Sequence, residues 1–186
     1  MPVRYLFLDE VDAYPPDADS EGDPLTLAIQ RTATFARRKI FIVSTPTIKG
    51  SRIEKEFEET DQRYFFVPCP FCGHFQTLKW EWVHYDSNLG EVTYVCENCK
   101  EAIRDHHKTE MLSQGEWRAS NQEKISEKVI GFHLNSLYSP VGWLSWAACL
   151  RNYEMAKDDE QLLKAWTNTT LGLTWEEKGD APDWSV

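Results

Sequence analysis

The sequence predicts an α/β fold built on a parallel sheet and interrupted by a metal-stapled β-hairpin. Two short apolar runs, residues 3–8 and 39–43, flank a segment with helical spacing. Strand, helix and strand in such close succession mark a parallel unit. Two Cys-x-x-Cys pairs follow, Cys69-Pro70-Phe71-Cys72 and Cys96-Glu97-Asn98-Cys99, with 23 residues between Cys72 and Cys96. Four thiols in two tight pairs close a tetrahedral zinc site. A late strand and two consecutive helices complete the pattern.

The 186 residues suit one domain, or one domain with a small insert, and 41% hydrophobic content is enough for a core. No apolar run approaches the roughly 18 residues of a membrane span. Met1-Pro2-Val3-Arg4 lacks a signal-peptide pattern, so a soluble, cytoplasmic protein is expected. Without an export signal, the five cysteines read as reduced thiols rather than a disulfide framework. The net charge of −10 argues against a surface that is wholly a nucleic-acid footprint. Two basic clusters, Arg37-Arg38-Lys39 and Lys49 to Arg52, are short enough to be ordinary solvated surface.

In chain order, residues 3–8 read as a buried strand, nearly all apolar. An acidic loop punctuated by Pro15, Pro16, Gly22 and Pro24 follows. Leu25, Ala28, Ile29, Thr32 and Phe35 recur at helical spacing and predict a helix over 25–38. Residues 39–43 form the second buried strand, ending in Ser44-Thr45-Pro46-Thr47. A short helix over 51–59 carries a solvated acidic face, and residues 63–67 form a strand leading into the first Cys pair. Residues 75–83 and 91–95 predict hairpin arms around a turn at 86–90, which places each Cys pair at a hairpin end. Residues 108–114 predict a helix stopped at Gly115, and 129–135 a strand. Helices are predicted over 143–157 and 159–170, the second with Asp158 or Asp159 as N-cap. No internal repeat is present.

Cys69, Cys72, Cys96 and Cys99 are the expected metal ligands. His74, His84, His106 and His107 are alternative donors, and Cys149 reads as a buried small hydrophobe in an apolar helix. The ribbon segment lacks a dense basic stripe, which favours a structural staple over a nucleic-acid reader. The strand ending in Leu8-Asp9-Glu10 points to chemistry, because parallel sheets place ligands at the carboxyl ends of their strands. An acid there binds Mg²⁺, and a second acid beside it polarises a water for attack on a phosphate. Taken alone, Asp-Glu also suits a turn or a helix cap, and Ser44-Thr45-Pro46-Thr47 also suits a simple strand terminator.

Taken together, the motifs are more specific. Leu6-Phe7-Leu8-Asp9-Glu10-Val11-Asp12-Ala13-Tyr14-Pro15 is followed by Ser44-Thr45-Pro46-Thr47, then by the two Cys pairs. Gly131-Phe132-His133-Leu134-Asn135-Ser136-Leu137-Tyr138 and Trp166-Thr167-Asn168-Thr169-Thr170-Leu171-Gly172 come last. This order resembles the large subunit of tailed-phage terminases of the lambda GpA-like family. The resemblance implies a partial P-loop NTPase sheet of the additional-strand kind, an inserted zinc ribbon and a C-terminal helical pair. It implies an ATP-driven motor that moves double-stranded DNA into procapsids, with a nuclease that cuts concatemers. Asp9 would be the Mg-ATP residue, Glu10 the catalytic carboxylate, and Ser44 and Thr45 the coupling and phosphate-sensing residues. Zn²⁺ would be structural, with Mg²⁺ and ATP required by the intact enzyme. The implied partners are double-stranded DNA, the terminase small subunit and the portal or procapsid. The implied division is 1–67 for the C-terminal part of the ATPase core, 68–104 for the ribbon, 105–178 for the rest of the motor and 179–186 for a linker toward a nuclease that is expected to be absent from these residues. The 186 residues contain no G-x-x-x-x-G-K-[ST] phosphate loop. The expectation is therefore the middle of a motor protein, inactive alone, with apolar sheet surface exposed. The rival reading is a non-catalytic zinc-ribbon interaction module derived from a prophage terminase.

Overall fold

The computed structural model describes residues 1–88, 90–127 and 129–177. The linker expected over 179–186 and Leu89 of the predicted turn lie outside the described residues. Strands β1 (Tyr5–Leu8) and β2 (Lys39–Ile42) pair in parallel, from Tyr5 opposite Lys39 to Leu8 opposite Ile42. Helix α1 (Pro24–Gln30) lies between them in sequence. Pro24 sits at its start, and the Asp23 carboxylate caps it by accepting from the Thr26 N–H. The predicted parallel unit is present, but two details differ.

The helix expected over 25–38 ends at Gln30. The Thr32 hydroxyl donates to the Ile29 carbonyl at 2.7 Å, and the Thr32 and Phe35 amides bond back only three residues. The β-branched Thr32 and Thr34 follow directly, and such side chains compete with regular helix. The two strands, expected to be buried, are buried on one face alone. Leu8, Val11 and Leu25 form a core with Leu6, Ile29 and Ile42. On the other face Tyr5 is 56% exposed, Phe7 76% and Phe41 56%, with the Phe7 and Phe41 rings 6.1 Å apart. A continuous apolar run signals a strand covered on both faces, and here the described residues supply only one cover.

Helix α2 (Arg52–Glu58) and strand β3 (Arg63–Pro68) match the prediction to within a residue or so. β3 organises the second sheet. Its end pairs with β4 (Phe75–Gln76), its body pairs antiparallel with β8 (Glu116–Ala119), and its start pairs in parallel with β9 (Phe132–His133). Strand β8 was not predicted, and β9 is shorter than the strand expected over 129–135. The third sheet is antiparallel: β5 (Val83–Asp86), β6 (Glu91–Val95) and β7 (Ala102–Arg104), in that order. The first hairpin arm therefore starts at Val83 rather than Phe75. Phe75 and Gln76 are committed to β3, and a 3₁₀ turn at Trp80–Trp82 intervenes.

Helix α3 (Lys108–Ser113) precedes β8. Helices α4 (Trp146–Ala156) and α5 (Glu160–Trp166) form the predicted pair, and α5 runs into a π turn at Thr167–Leu171. α4 starts at Trp146 because Ser145 caps it through the Ala148 N–H. Asp159 caps α5 by accepting from Gln161 and Leu162. The main core joins Val67, Cys69, Tyr94, Cys96, Ile103, Met111, Leu137 and Trp146, so the Cys-pair segment shares one interior with α3 and α4. Within it, Lys108 is fully buried; its ammonium reaches Asp105 at 3.0 Å and the Leu144 carbonyl at 3.1 Å.

The Gly131 to Tyr138 segment is a set of staples. Asn135 donates to the Leu78 carbonyl at 2.9 Å, and the Tyr138 hydroxyl donates to the Phe65 carbonyl while accepting from the Leu78 N–H. Gly131 approaches α2 so closely that an added Cβ would lie 2.1 Å from Thr60 Oγ1 and 2.9 Å from Phe57 Cδ2. Gly131→Ala is therefore expected to lower stability by about 1–3 kcal/mol, the usual cost of overpacking. Urea unfolding checks this, and an unchanged midpoint would refute the close-approach reading.

Candidate functional site

Two groupings of reactive side chains stand out. The first sits at the carboxyl end of the parallel pair. Asp9 and Glu10 leave β1 as β2 delivers Val43 and Ser44 beside them; the Val43 N–H donates to the Leu8 carbonyl at 2.9 Å. Both acids are exposed. The chain turns sharply here because Glu10 adopts the left-handed conformation, φ 52° and ψ 45°. A non-glycine residue held there stores roughly 1–3 kcal/mol of strain, a pattern concentrated at active sites. Asp9 holds the turn: its Oδ1 accepts from the Glu10 N–H at 3.0 Å.

The structure brings the 44–47 loop to this turn. Ser44 Oγ accepts from the Asp12 N–H at 3.1 Å and donates to the Thr45 carbonyl at 3.2 Å. The link that the sequence analysis missed is Asp12. Its Oδ2 accepts from both the N–H and the hydroxyl of Thr47, each at 3.0 Å, and its Oδ1 accepts from the Ile53 N–H at 2.7 Å. The available signal was its place in Asp9-Glu10-Val11-Asp12, two residues past the acid pair. Arg52, read as part of a basic cluster, is used internally. It donates to the Val11, Tyr14 and Pro15 carbonyls and pairs with Asp23 at 2.7 Å. Lys49 is likewise paired, with Glu176.

The second grouping is the thiol cluster. Cys69, Cys72, Cys96 and Cys99 converge so that all four sulfurs lie within 4.8 Å of one another. Their positions follow from two turns of the same design. In the first, the Cys69 N–H bonds the His74 carbonyl, the Gly73 N–H bonds the Cys69 carbonyl, and Gly73 is left-handed. In the second, Cys96 bonds Glu101, Lys100 bonds Cys96, and Lys100 is left-handed. Glu97 ties the two turns together: its N–H donates to Gln76 Oε1 at 2.9 Å, and its carboxylate meets His74 Nε2 at 3.0 Å.

The sulfurs of Cys69 and Cys99 are 3.8 Å apart, as are those of Cys72 and Cys96. A tetrahedron with zinc–sulfur bonds of ~2.3 Å has edges of ~3.8 Å, so the donor set fits a tetrahedral, thiolate-loving ion. Hydrogen bonds support negative charge here, from the Phe71 N–H to Cys69 and from the Asn98 side chain to Cys72. The His74 backbone and then Asn98 hold the Cys72 thiol down at about 6, whereas burial pushes Cys69 up to about 12. None of the four candidate histidines joins the cluster among the described residues; His107 packs on Phe71 and His106 instead. Cys149 is fully buried away from the set, as expected. All five cysteines are free thiols.

Residues 1–117 match the family model for the phage terminase large subunit gpA, ATPase domain. Residues 129–186 match that for the terminase large subunit gpA, endonuclease domain. The terminase large subunit of Enterobacteria phage P21 is 33% identical over 201 residues, covering 94% of this chain. That of Escherichia phage lambda is 30% identical over 204 residues, covering 96%. The chain spans 30% and 31% of the lengths of these two curated relatives. No solved structure matches. No helix among the described residues is long and apolar enough to cross a membrane.

Proposed function

We propose, from the premise that the chain belongs to the phage terminase large subunit gpA family, that it carries the Mg-ATP carboxylates and the coupling loop of a DNA-packaging motor. The observation that supports this most is the parallel pair β1–β2, which sets Asp9 and Glu10 beside Ser44 at the ligand-binding ends of its strands. In this reading Asp9 offers its carboxylate to Mg²⁺ in the intact subunit. Glu10 accepts the proton of the attacking water. Ser44 and Thr45 sense the phosphate and pass its state to the elements that grip double-stranded DNA. The open face bearing Tyr5, Phe7 and Phe41 is where the rest of the ATPase sheet and its helices would pack.

The four thiols hold Zn²⁺ as a structural staple of a ribbon over 68–104. With all four ligands from the protein, the ion lacks an open position and serves folding rather than chemistry. Residues 1–67 then form part of the ATPase core. Residues 105–178 lead out of it, and the match of residues 129–186 to the nuclease family model supports a path from motor to nuclease within this chain. The small subunit, the procapsid portal and concatemeric DNA are the partners this reading implies. The isolated 186 residues, without a phosphate loop, are expected to be inactive alone.

Asp9→Asn in the intact large subunit tests the assignment. The variant keeps the acceptor for the Glu10 N–H but weakens the cation ligand. The Mg²⁺ concentration for half-maximal ATP turnover is expected to rise at least tenfold, roughly 1.4 kcal/mol of lost binding. An unchanged Mg²⁺ dependence would remove Asp9 from the role.

A further inference from the structure

Thr47 sits at a junction between the carboxylate turn and the far end of the chain. Its N–H and hydroxyl hang on Asp12, two residues past Glu10. Its carbonyl accepts from the Trp175 N–H at 3.0 Å, and the Lys49 N–H returns a bond to the Trp175 carbonyl at 3.0 Å. Ile48 and Trp175 thus form a parallel β-bridge. Side chains reinforce it on both flanks: Thr174 Oγ1 donates to Glu54 Oε1 at 2.8 Å, and Lys49 pairs with Glu176. The Glu54 carboxylate also accepts from the Gly50 N–H, so one side chain fixes the loop and the strap together. Residues 174–176 lie more than 120 positions from the loop they grip, in the part of the chain matched by the nuclease model. They arrive there after the left-handed Gly172 ends the π turn.

We propose that residues 174–176 are a strap that reads the position of the 44–47 loop, and that Asp12 is the positioning residue which sets that position from the carboxylate turn. The coupling path runs from Glu10 through Asp12 to Thr47, and from Thr47 to the backbone of Trp175. Glu10 and Asp12 are joined along the chain through Val11, and the two later steps are hydrogen bonds, so a movement of Thr47 away from Asp12 pulls on Trp175. The strap does not depend on long-range electrostatics: its central contacts are backbone bonds, and backbone bonds fix register. The consequence, which rests on the reading of residues 44–47 as a coupling loop, is that a shift of that loop is transmitted directly to the nuclease-side chain. A contiguous set of contacts becomes a coupling only when perturbing one end alters the other, and this is what the experiment measures.

The test is residue-resolved amide hydrogen exchange on this chain, loaded with zinc. Asp12→Ala is expected to speed exchange at least tenfold at Thr47 and Ile53, whose partner is lost, and also at Lys49 and Trp175, which Asp12 does not touch. Trp175→Pro removes the donor to Thr47 and is expected to speed exchange at Thr47 and Ile53 in return. Thr47→Val, which deletes only the hydroxyl bond to Asp12, is expected to reproduce a smaller acceleration at Trp175, and Thr47→Ser to restore wild-type rates. Amides of the β6 strand serve as the control for an intact fold. Unchanged exchange at Lys49 and Trp175 in Asp12→Ala, with β6 protected, would overturn the proposal. If Asp12→Ala accelerates β6 as well, Thr47→Val decides: unchanged exchange at Trp175 there also overturns it. The outcome is independent of nucleotide. A large subunit that hydrolyses ATP normally without Glu10 would sink the motor assignment and leave the exchange result standing.

Discussion

Stripping the proposed Zn²⁺ from the four-thiol site with a strong chelator is expected to unfold the core that spans β3 to α4. The thiol cluster is not an appendage: Cys69 and Cys96 are buried in the same cluster as Tyr94, Leu137 and Trp146. Structural zinc binding contributes about 10–16 kcal/mol in small zinc domains, whereas a whole domain is stable by only about 5–15 kcal/mol. Losing the ion therefore removes an amount comparable with the entire stability. It also leaves four thiols crowded within 4.8 Å with no cation between them. One zinc per chain is expected by elemental analysis of the purified protein. Chelation should abolish the near-ultraviolet signal of the buried Trp146, and Cys69→Ser should do the same without chelator. Cys149→Ala, at a buried thiol outside the cluster, should keep the zinc. A protein that contains no zinc, or a Cys69→Ser variant that melts like the wild type, would refute the staple.

The two halves of the molecule differed in how much their sequence disclosed. The thiol cluster was fully legible, because spacing within each Cys pair sets a local turn and the turn aims both sulfurs. The cap at Asp159, one of the two residues the sequence offered, was similarly local. What failed was non-local. Strand β8 has the short sequence Glu116-Trp117-Arg118-Ala119, mostly exposed, and gains its structure from β3, where Trp117 packs on Phe65 with rings 5.0 Å apart. The period of residues 25–38 kept its helical spacing past Gln30, but the Thr32 hydroxyl took the Ile29 carbonyl and ended the helix. Asp12 escaped notice for the same reason. Its partners, Thr47 and Ile53, are more than thirty residues away, and its place two residues past the acid pair does not disclose which distant amides it holds.

Glu10→Gln in the intact large subunit is expected to reduce ATP turnover by about 10²–10⁴-fold while nucleotide binding is retained. The substitution changes one atom of a side chain that stands free in solvent, and the left-handed backbone at this position suits Gln no worse than Glu. What disappears is the ability to accept a proton, and general-base catalysis of this kind contributes that range of rate, roughly 3–5 kcal/mol of barrier. The strain at Glu10 supplies an independent check on the same residue. Glycine occupies φ 52° without steric cost, so Glu10→Gly should leave the stability of this chain equal or higher, by about 1 kcal/mol, while turnover in the intact subunit is lost. A residue kept for folding would behave in the opposite way, losing stability with the side chain and keeping the rate. Urea midpoints for the chain and steady-state hydrolysis for the subunit separate the two. Turnover within twofold of wild type in Glu10→Gln would assign the strained turn to architecture and take the catalytic carboxylate away from this position.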